Sequence, residues 1–171
     1  AIIQSITAFY LQDTFSLSIL VTQQSLGIAL GFMALTSIVA QLTIVQKIKI
    51  HPIRLVQWST PFFIIGTLVI VSAGNFIIYV FGMSIIGLGM GLGTPGYTAA
   101  ASLNSDSESQ GAAVGLAMVA PGLGFSIGPL LGGFLYEASP ILPFLTILPI
   151  FALVFLIASY INKSKLAEKT L

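Results

Sequence analysis

Apolar residues run along this chain in long blocks, and polar residues collect in short clusters between them. Five blocks come up to the roughly 20 residues that an α-helix needs to cross a bilayer. They cover residues 20–46, 56–73, 76–103, 112–136 and 141–161. The breaks carry turn chemistry: HP at 51–52, GN at 74–75, NSDSESQG at 104–111 and EASP at 137–140. Ahead of the first block, AIIQSITAFYLQD reads as the last turns of another span, cut at its start. No strand-length alternation of period two dominates, which argues against a β-barrel. The pattern predicts an all-α membrane protein. Residues 1–161 are expected to form a bundle of one partial and five full transmembrane helices, and residues 162–171 a basic tail.

Composition strengthens the membrane reading. The 171-residue chain is 56% hydrophobic and only 6% charged, against roughly 25% charged in an ordinary soluble domain. Six basic and five acidic side chains cannot coat a soluble protein of this size. Lipid, or other apolar helices, must cover most of the surface. A net charge of +1 gives no sign of nucleic-acid binding. The chain has no cysteine, so disulfides and thiolate metal sites are excluded. No metal and no cofactor is expected. There is no initiator methionine, basic leader or cleavage site at Ala1, and the chain is expected to be a piece of a longer protein.

Charge then predicts orientation. Lys47, Lys49 and Arg54 fall in one loop, and Lys163, Lys165 and Lys169 in the tail. Four full spans separate the two, so both lie on one side, and the positive-inside rule makes that side cytoplasmic. Asp13 and Glu137 fall outside, Asp106 and Glu108 inside. The expected location is the plasma membrane, multi-pass, with a cytoplasmic C-terminus. The glycosylation-like NKS at 162–164 then lies on the wrong side to receive a sugar.

The strongest local pattern is GLAMVAPGLGFSIGPLLGG, starting at Gly115. Its fixed positions are Gly115, Gly124, Gly128, Pro129, Gly132 and Gly133, spaced G-x8-G-x3-G-P-x2-G-G. On a helix, 124, 128 and 132 share one stripe, a small-residue face that another backbone can approach closely. Pro129 removes a backbone donor and crowds the carbonyl of Phe125, which predicts a kink there, with Pro121 as a second site. In the preceding block, Gly87/Gly91 and Gly89/Gly93 form two overlapping GxxxG pairs, and Pro95 is expected to bend that helix.

Two catalytic-looking matches dissolve in this context. GFSIG at 124–128 fits G-x-S-x-G, but a nucleophile elbow needs a strand before Ser126 and a base beside it. Both flanks are helical, the single histidine is His51 in a loop, and no span holds a lysine. A hydroxyl bonded back to a carbonyl of its own helix is the simpler reading. GLGTPG at 91–96 fits G-x-G-x-x-G, but it lies within a long apolar helix instead of between a strand and a helix start.

The glycine–proline pattern resembles the antiporter motif of the major facilitator superfamily, known best from drug–proton antiporters. All six fixed positions match. QGAAVG opens that helix and GGFLYE closes it, and FYLQD and GLGTPGYTAAAS resemble bacterial drug-efflux members as well. The resemblance implies a twelve-helix fold of two six-helix halves. Two features point to the C-terminal half. The loop QLTIVQKIKIHPIR lacks the acid and glycines of the loop between the second and third helices, and residues 76–103 lack the arginine of the fourth helix.

Family resemblance also implies alternating access around a site near the midplane. The walls from this half would offer Gln4, Tyr10, Gln24, Gln41 and Tyr97 as polar contacts. Met33, Met90 and Met118 would offer adaptable apolar ones. Each has a plainer role open to it: a buried amide more often ties helices together, and a membrane methionine more often packs or faces lipid. No acid stands at midspan; in the drug-antiporter group the coupling acids lie mainly in the N-terminal half. The implied function is proton-coupled export of small organic, amphipathic molecules. The implied partners are the substrate, the proton, the bilayer and the missing N-terminal half. Two alternatives stay open: an intramembrane enzyme using Ser126, and a half-size membrane protein that dimerises.

Overall fold

The computed structural model describes residues 1–47, 50–103 and 110–168, with side chains through residue 163. All regular structure among them is helical. The order is α1 (Ile2–Phe15), α2 (Ile19–Ala40, running on into a π-helical turn at Gln41–Val45), α3 (Pro52–Val71), α4 (Phe76–Leu103), α5 (Gln110–Ala138) and α6 (Leu142–Glu168). Among the described residues, five helices are long and apolar enough to cross a membrane, and α1 is the short one. Its 14 residues reach only about 21 Å at 1.5 Å each.

The boundaries follow local chemistry. α1 stops at Ser16, which adopts the left-handed conformation (φ 51°) and sends its N–H back to the Gln12 carbonyl. α3 starts at Pro52, four residues before the apolar block. Proline suits a first helical position, and the His51 ring nitrogen Nδ1 accepts the Ile53 N–H. The expected basic tail continues α6 as helix to Glu168, in keeping with the good helix propensity of Lys, Leu, Ala and Glu. Pro61, Pro95, Pro121, Pro129 and Pro149 all sit inside continuous helices.

α4 is the centre of the bundle, packed between α2 and α3. Its glycines divide between the two neighbours. A methyl group added at Gly87 would strike the Met33 carbonyl and the Thr36 hydroxyl, and one at Gly91 would strike the Ser37 carbonyl, all on α2. At Gly89 and Gly93 it would meet Phe63 and Ser59 on α3. Farther along the same helices the two backbones meet directly: a Cβ on Gly66 would stand 2.9 Å from the Gly82 oxygen, and one on Gly82 3.0 Å from the Gly66 oxygen. Thr36 Oγ1 donates across the α2–α4 contact to the Ser84 carbonyl at 2.8 Å.

Aromatic and polar ties fix the remaining helices. Tyr79, fully buried on α4, stacks with Tyr10 at 5.7 Å and donates to Thr7 Oγ1 at 3.1 Å, both on α1. Thr7 in turn donates to the Ile3 carbonyl at 2.7 Å. Tyr10 meets the edge of Phe144 on α6 at 4.9 Å. α6 lies on α3, where Phe63 and Phe151 stack at 4.1 Å. Along that seam Gln57 donates to Ser159 at 3.0 Å and Arg54 to Asn162 at 3.3 Å. α5 packs on α1 and α4 but keeps most of its side chains outside the bundle.

Candidate functional site

A cleft of about 750 Å³ opens inside the bundle, beside the start of α1. Ala1 to Gln4 form one wall, and Met90, Thr94 and Tyr97 of α4 another. α5 contributes residues 120–131 in part, α6 brings Ile147 and Phe151, and Met33 and Phe63 reach in from α2 and α3. The lining is overwhelmingly apolar. Among the described residues, its polar side chains are Gln4, Thr94 and Tyr97, and no charged side chain faces it. Such a surface can hold an apolar body and orient it with a few hydrogen bonds.

Of the pathway residues read from the sequence, the cleft brings together Gln4, Met33, Met90 and Tyr97. Tyr10 is elsewhere, 4% exposed within the aromatic core. Gln24 is exposed on α2. Gln41 is exposed too, and donates to Ser37 Oγ at 3.3 Å within its own helix. Met118 faces outward on α5, 67% exposed. The sequence reading missed Thr94, Phe63 and Phe151. Thr94 lies one turn from both Met90 and Tyr97, a spacing that could have pointed to it. The two phenylalanines lie on α3 and α6, and nothing in their local sequence marks them.

The α5 motif divides into packed and open positions. A Cβ at Gly128 would lie 2.7 Å from the Ala1 Cβ, and one at Gly132 3.1 Å from Ile6 Cγ2 and Ser5 Oγ. These two, four residues apart, receive α1. Gly124 stands in the cleft wall with nothing within 4 Å, and Gly115 and Gly133 are equally open. Pro129 follows the first packed glycine. One turn beyond the second, Tyr136 donates to Asp13 Oδ2 at 2.7 Å and approaches the Phe9 ring at 6.2 Å. α1 and α5 thus run side by side in the same direction, in matched register from Gly128 to Tyr136.

That register places Asp13 at the same end of the bundle as Glu137. The Arg54–Asn162 bond places the start of α3 beside the end of α6, with Lys163 next in sequence. Lys47 is exposed just past the π-helical turn of α2. Lys49, Asp106, Glu108 and Lys169 lie outside the described residues, as does the side chain of Lys165.

Ser126 Oγ donates to the Gly122 carbonyl of its own helix at 2.9 Å. His51 caps α3 at the start of a different span. The geometry is that of a back-bonded helix hydroxyl. Ser126→Ala in the full-length protein is expected to shift stability by less than about 0.5 kcal/mol and to leave function intact. A serine-reactive probe should leave Ser126 unlabelled; labelling there, checked by mass spectrometry, would reopen the enzyme reading.

The family model of the Major Facilitator Superfamily matches residues 1–170. The chain belongs to that superfamily. Its long apolar helices are therefore membrane spans of a multi-pass transporter family. Among curated proteins, none matches the chain.

Proposed function

We propose that this chain is the C-terminal half of a proton-coupled exporter of drugs or other amphipathic compounds. It works by alternating access against an N-terminal six-helix half, in the plasma membrane, with its C-terminus in the cytoplasm. The observation that carries the reading is the α5 glycine–proline pattern seated against α1 at Gly128 and Gly132, next to a cleft without charge. A stripe of glycines lets two helices slide and tilt with no side chains to disengage. An apolar cleft with three polar side chains suits compounds that carry a large hydrophobic surface.

The distribution of open glycines supports the missing half. On α3 and α4, glycines 66, 82, 87, 89, 91, 93 and 96 all have close neighbours. Gly27 and Gly31 on α2, and Gly115 and Gly133 on α5, have none within 4 Å. Both helices present outward faces suited to close backbone approach by a further membrane helix. A proton-binding acid at midspan is then supplied by the other half.

The test is transport by the full-length protein in proteoliposomes with an imposed pH gradient and a fluorescent amphipathic cation. Dye movement that reverses when the gradient is reversed is the expected result. Movement that ignores the gradient would overturn proton coupling. Absence of dye movement together with uptake of a small hydrophilic solute would overturn the substrate class.

A further inference from the structure

We propose that the α3–α6 seam at the Arg54 end binds the headgroup phosphate of an anionic phospholipid. Arg54 is a half-buried cation in the first turn of α3, a helix with no acid in that turn. The positive end of the helix dipole disfavours a cation there and favours an anion. Among the described residues, the only partner of its guanidinium is Asn162, whose Oδ1 accepts from Nε at 3.3 Å. One of five N–H donors is thus used, and that bond fixes the plane of the fork. The terminal amino groups are left to a ligand that accepts two parallel hydrogen bonds, as a phosphate does.

The surroundings select a lipid as the source of that phosphate. Arg54 and Asn162 sit at the ends of their apolar spans, and span ends are where headgroups are expected. Trp58, one turn along α3 from Arg54, is 45% exposed. Tyr160, one turn before Lys163 on α6, is 78% exposed. Exposed Trp and Tyr rings at span ends are characteristic of the membrane–water boundary. One turn deeper in the seam, Gln57 and Ser159 pair with each other at 3.0 Å. They offer a polar floor below the phosphate, and exposed Lys163 adds positive charge beside it. Setting topology requires only that Arg54 be charged; it does not require a fork held by Asn162.

Native mass spectrometry of the full-length protein in detergent tests this directly. The probes are phosphatidylglycerol, phosphatidylcholine and soluble glycerol phosphate. Phosphatidylglycerol should be retained in preference to phosphatidylcholine, and glycerol phosphate should not displace it. Arg54→Gln should lower phosphatidylglycerol occupancy by more than about tenfold: about five-fold for the loss of one interfacial cation, and the rest for the lost paired hydrogen bonds. Lys163→Gln should lower it by no more than about five-fold, since its ammonium acts only as a neighbouring charge. Arg54→Lys, which keeps charge but loses the fork, should fall between wild type and Arg54→Gln. Equal losses from Arg54→Gln and Lys163→Gln would mean diffuse charge attraction and overturn the site. So would no loss from Arg54→Gln, or displacement by glycerol phosphate. If Arg54→Gln does not fold, Asn162→Leu serves instead: it releases the fork, and unchanged occupancy would overturn the proposal. The readout is lipid occupancy, so it stands or falls independently of what the protein transports.

Discussion

Gly91→Leu, introduced into the full-length protein, is expected to abolish recovery of folded transporter. A Cβ at this position would strike the Ser37 carbonyl oxygen and stand 2.8 Å from the Ala40 Cβ. Both obstacles belong to the α2 backbone or are fixed to it, so no rotamer change relieves them. The α2–α4 contact would have to open along its length, breaking the bond from Thr36 Oγ1 to the Ser84 carbonyl, two turns before Gly91 on α4. Overpacking a core by side-chain atoms costs typically 1–3 kcal/mol, and a collision with backbone lies at about the top of that range or beyond. Against a total stability on the order of 5–15 kcal/mol, that is a large fraction. The comparison substitution is Gly93→Ala, two residues on. Its new methyl would meet the Ser59 hydroxyl at 3.0 Å and Cβ at 3.3 Å. The hydroxyl can turn away only by giving up its 2.7 Å bond to the Val56 carbonyl, so a cost of about 1 kcal/mol is expected. Size-exclusion profiles and thermal melting of the two variants in detergent decide it. A Gly91→Leu protein that elutes and melts like wild type would show that α2 and α4 do not approach each other this closely.

The same contacts show what the sequence could reveal. The two GxxxG pairs on α4 were visible as spacing, because both members of each pair lie on one helix. The Gly66–Gly82 crossing was invisible, because each glycine stands alone on its own helix and only the fold brings them together. Span existence was equally plain, since 56% apolar composition with 6% charge leaves few other solutions. Span ends were less plain. Pro52 and the Lys- and Glu-bearing end of α6 read as loop and tail by polarity, yet both are helical. Helix geometry tolerates charge at its ends, and hydropathy does not register that. For the cleft, Gln4, Met33, Met90 and Tyr97 were chosen by residue type. Type could not separate them from Gln24, Gln41 and Met118, which differ only in the direction they face. Tyr10 was misplaced for a related reason: a tyrosine's ring suits a pocket wall and a packed core equally, and here it stacks in the core on Tyr79.

The second large effect is expected at the α1–α5 seam, where the consequence is loss of transport with insertion preserved. Gly128→Leu would push against the Ala1 Cβ at 2.7 Å and the Ile2 backbone nitrogen at 3.2 Å. Those atoms cannot yield without moving α1 away from α5. At the far end of the seam the Tyr136–Asp13 bond holds the two helices together, so the displacement becomes a splay that opens toward the start of α1, at the cleft. Gly132→Ala is the graded partner. Its methyl would meet Ile6 Cγ2 and Ser5 Oγ, both at 3.1 Å, and these are side-chain tips that can shift by a few tenths of an ångström. Transport by Gly128→Leu should fall at least about tenfold, the equivalent of about 1.4 kcal/mol in the populations of the transporting states. Gly132→Ala should stay within about twofold of wild type, a change of under about 0.5 kcal/mol. Pro129→Leu restores a backbone donor and removes the ring that crowds Phe125, and it should impair transport by stiffening α5 without crowding α1. Membrane insertion is checked by surface labelling and transport by efflux of an amphipathic dye. Wild-type efflux in both Gly128→Leu and Pro129→Leu would mean that this seam is a static packing surface, and the moving contact would then have to be sought on the open glycines of α2 and α5.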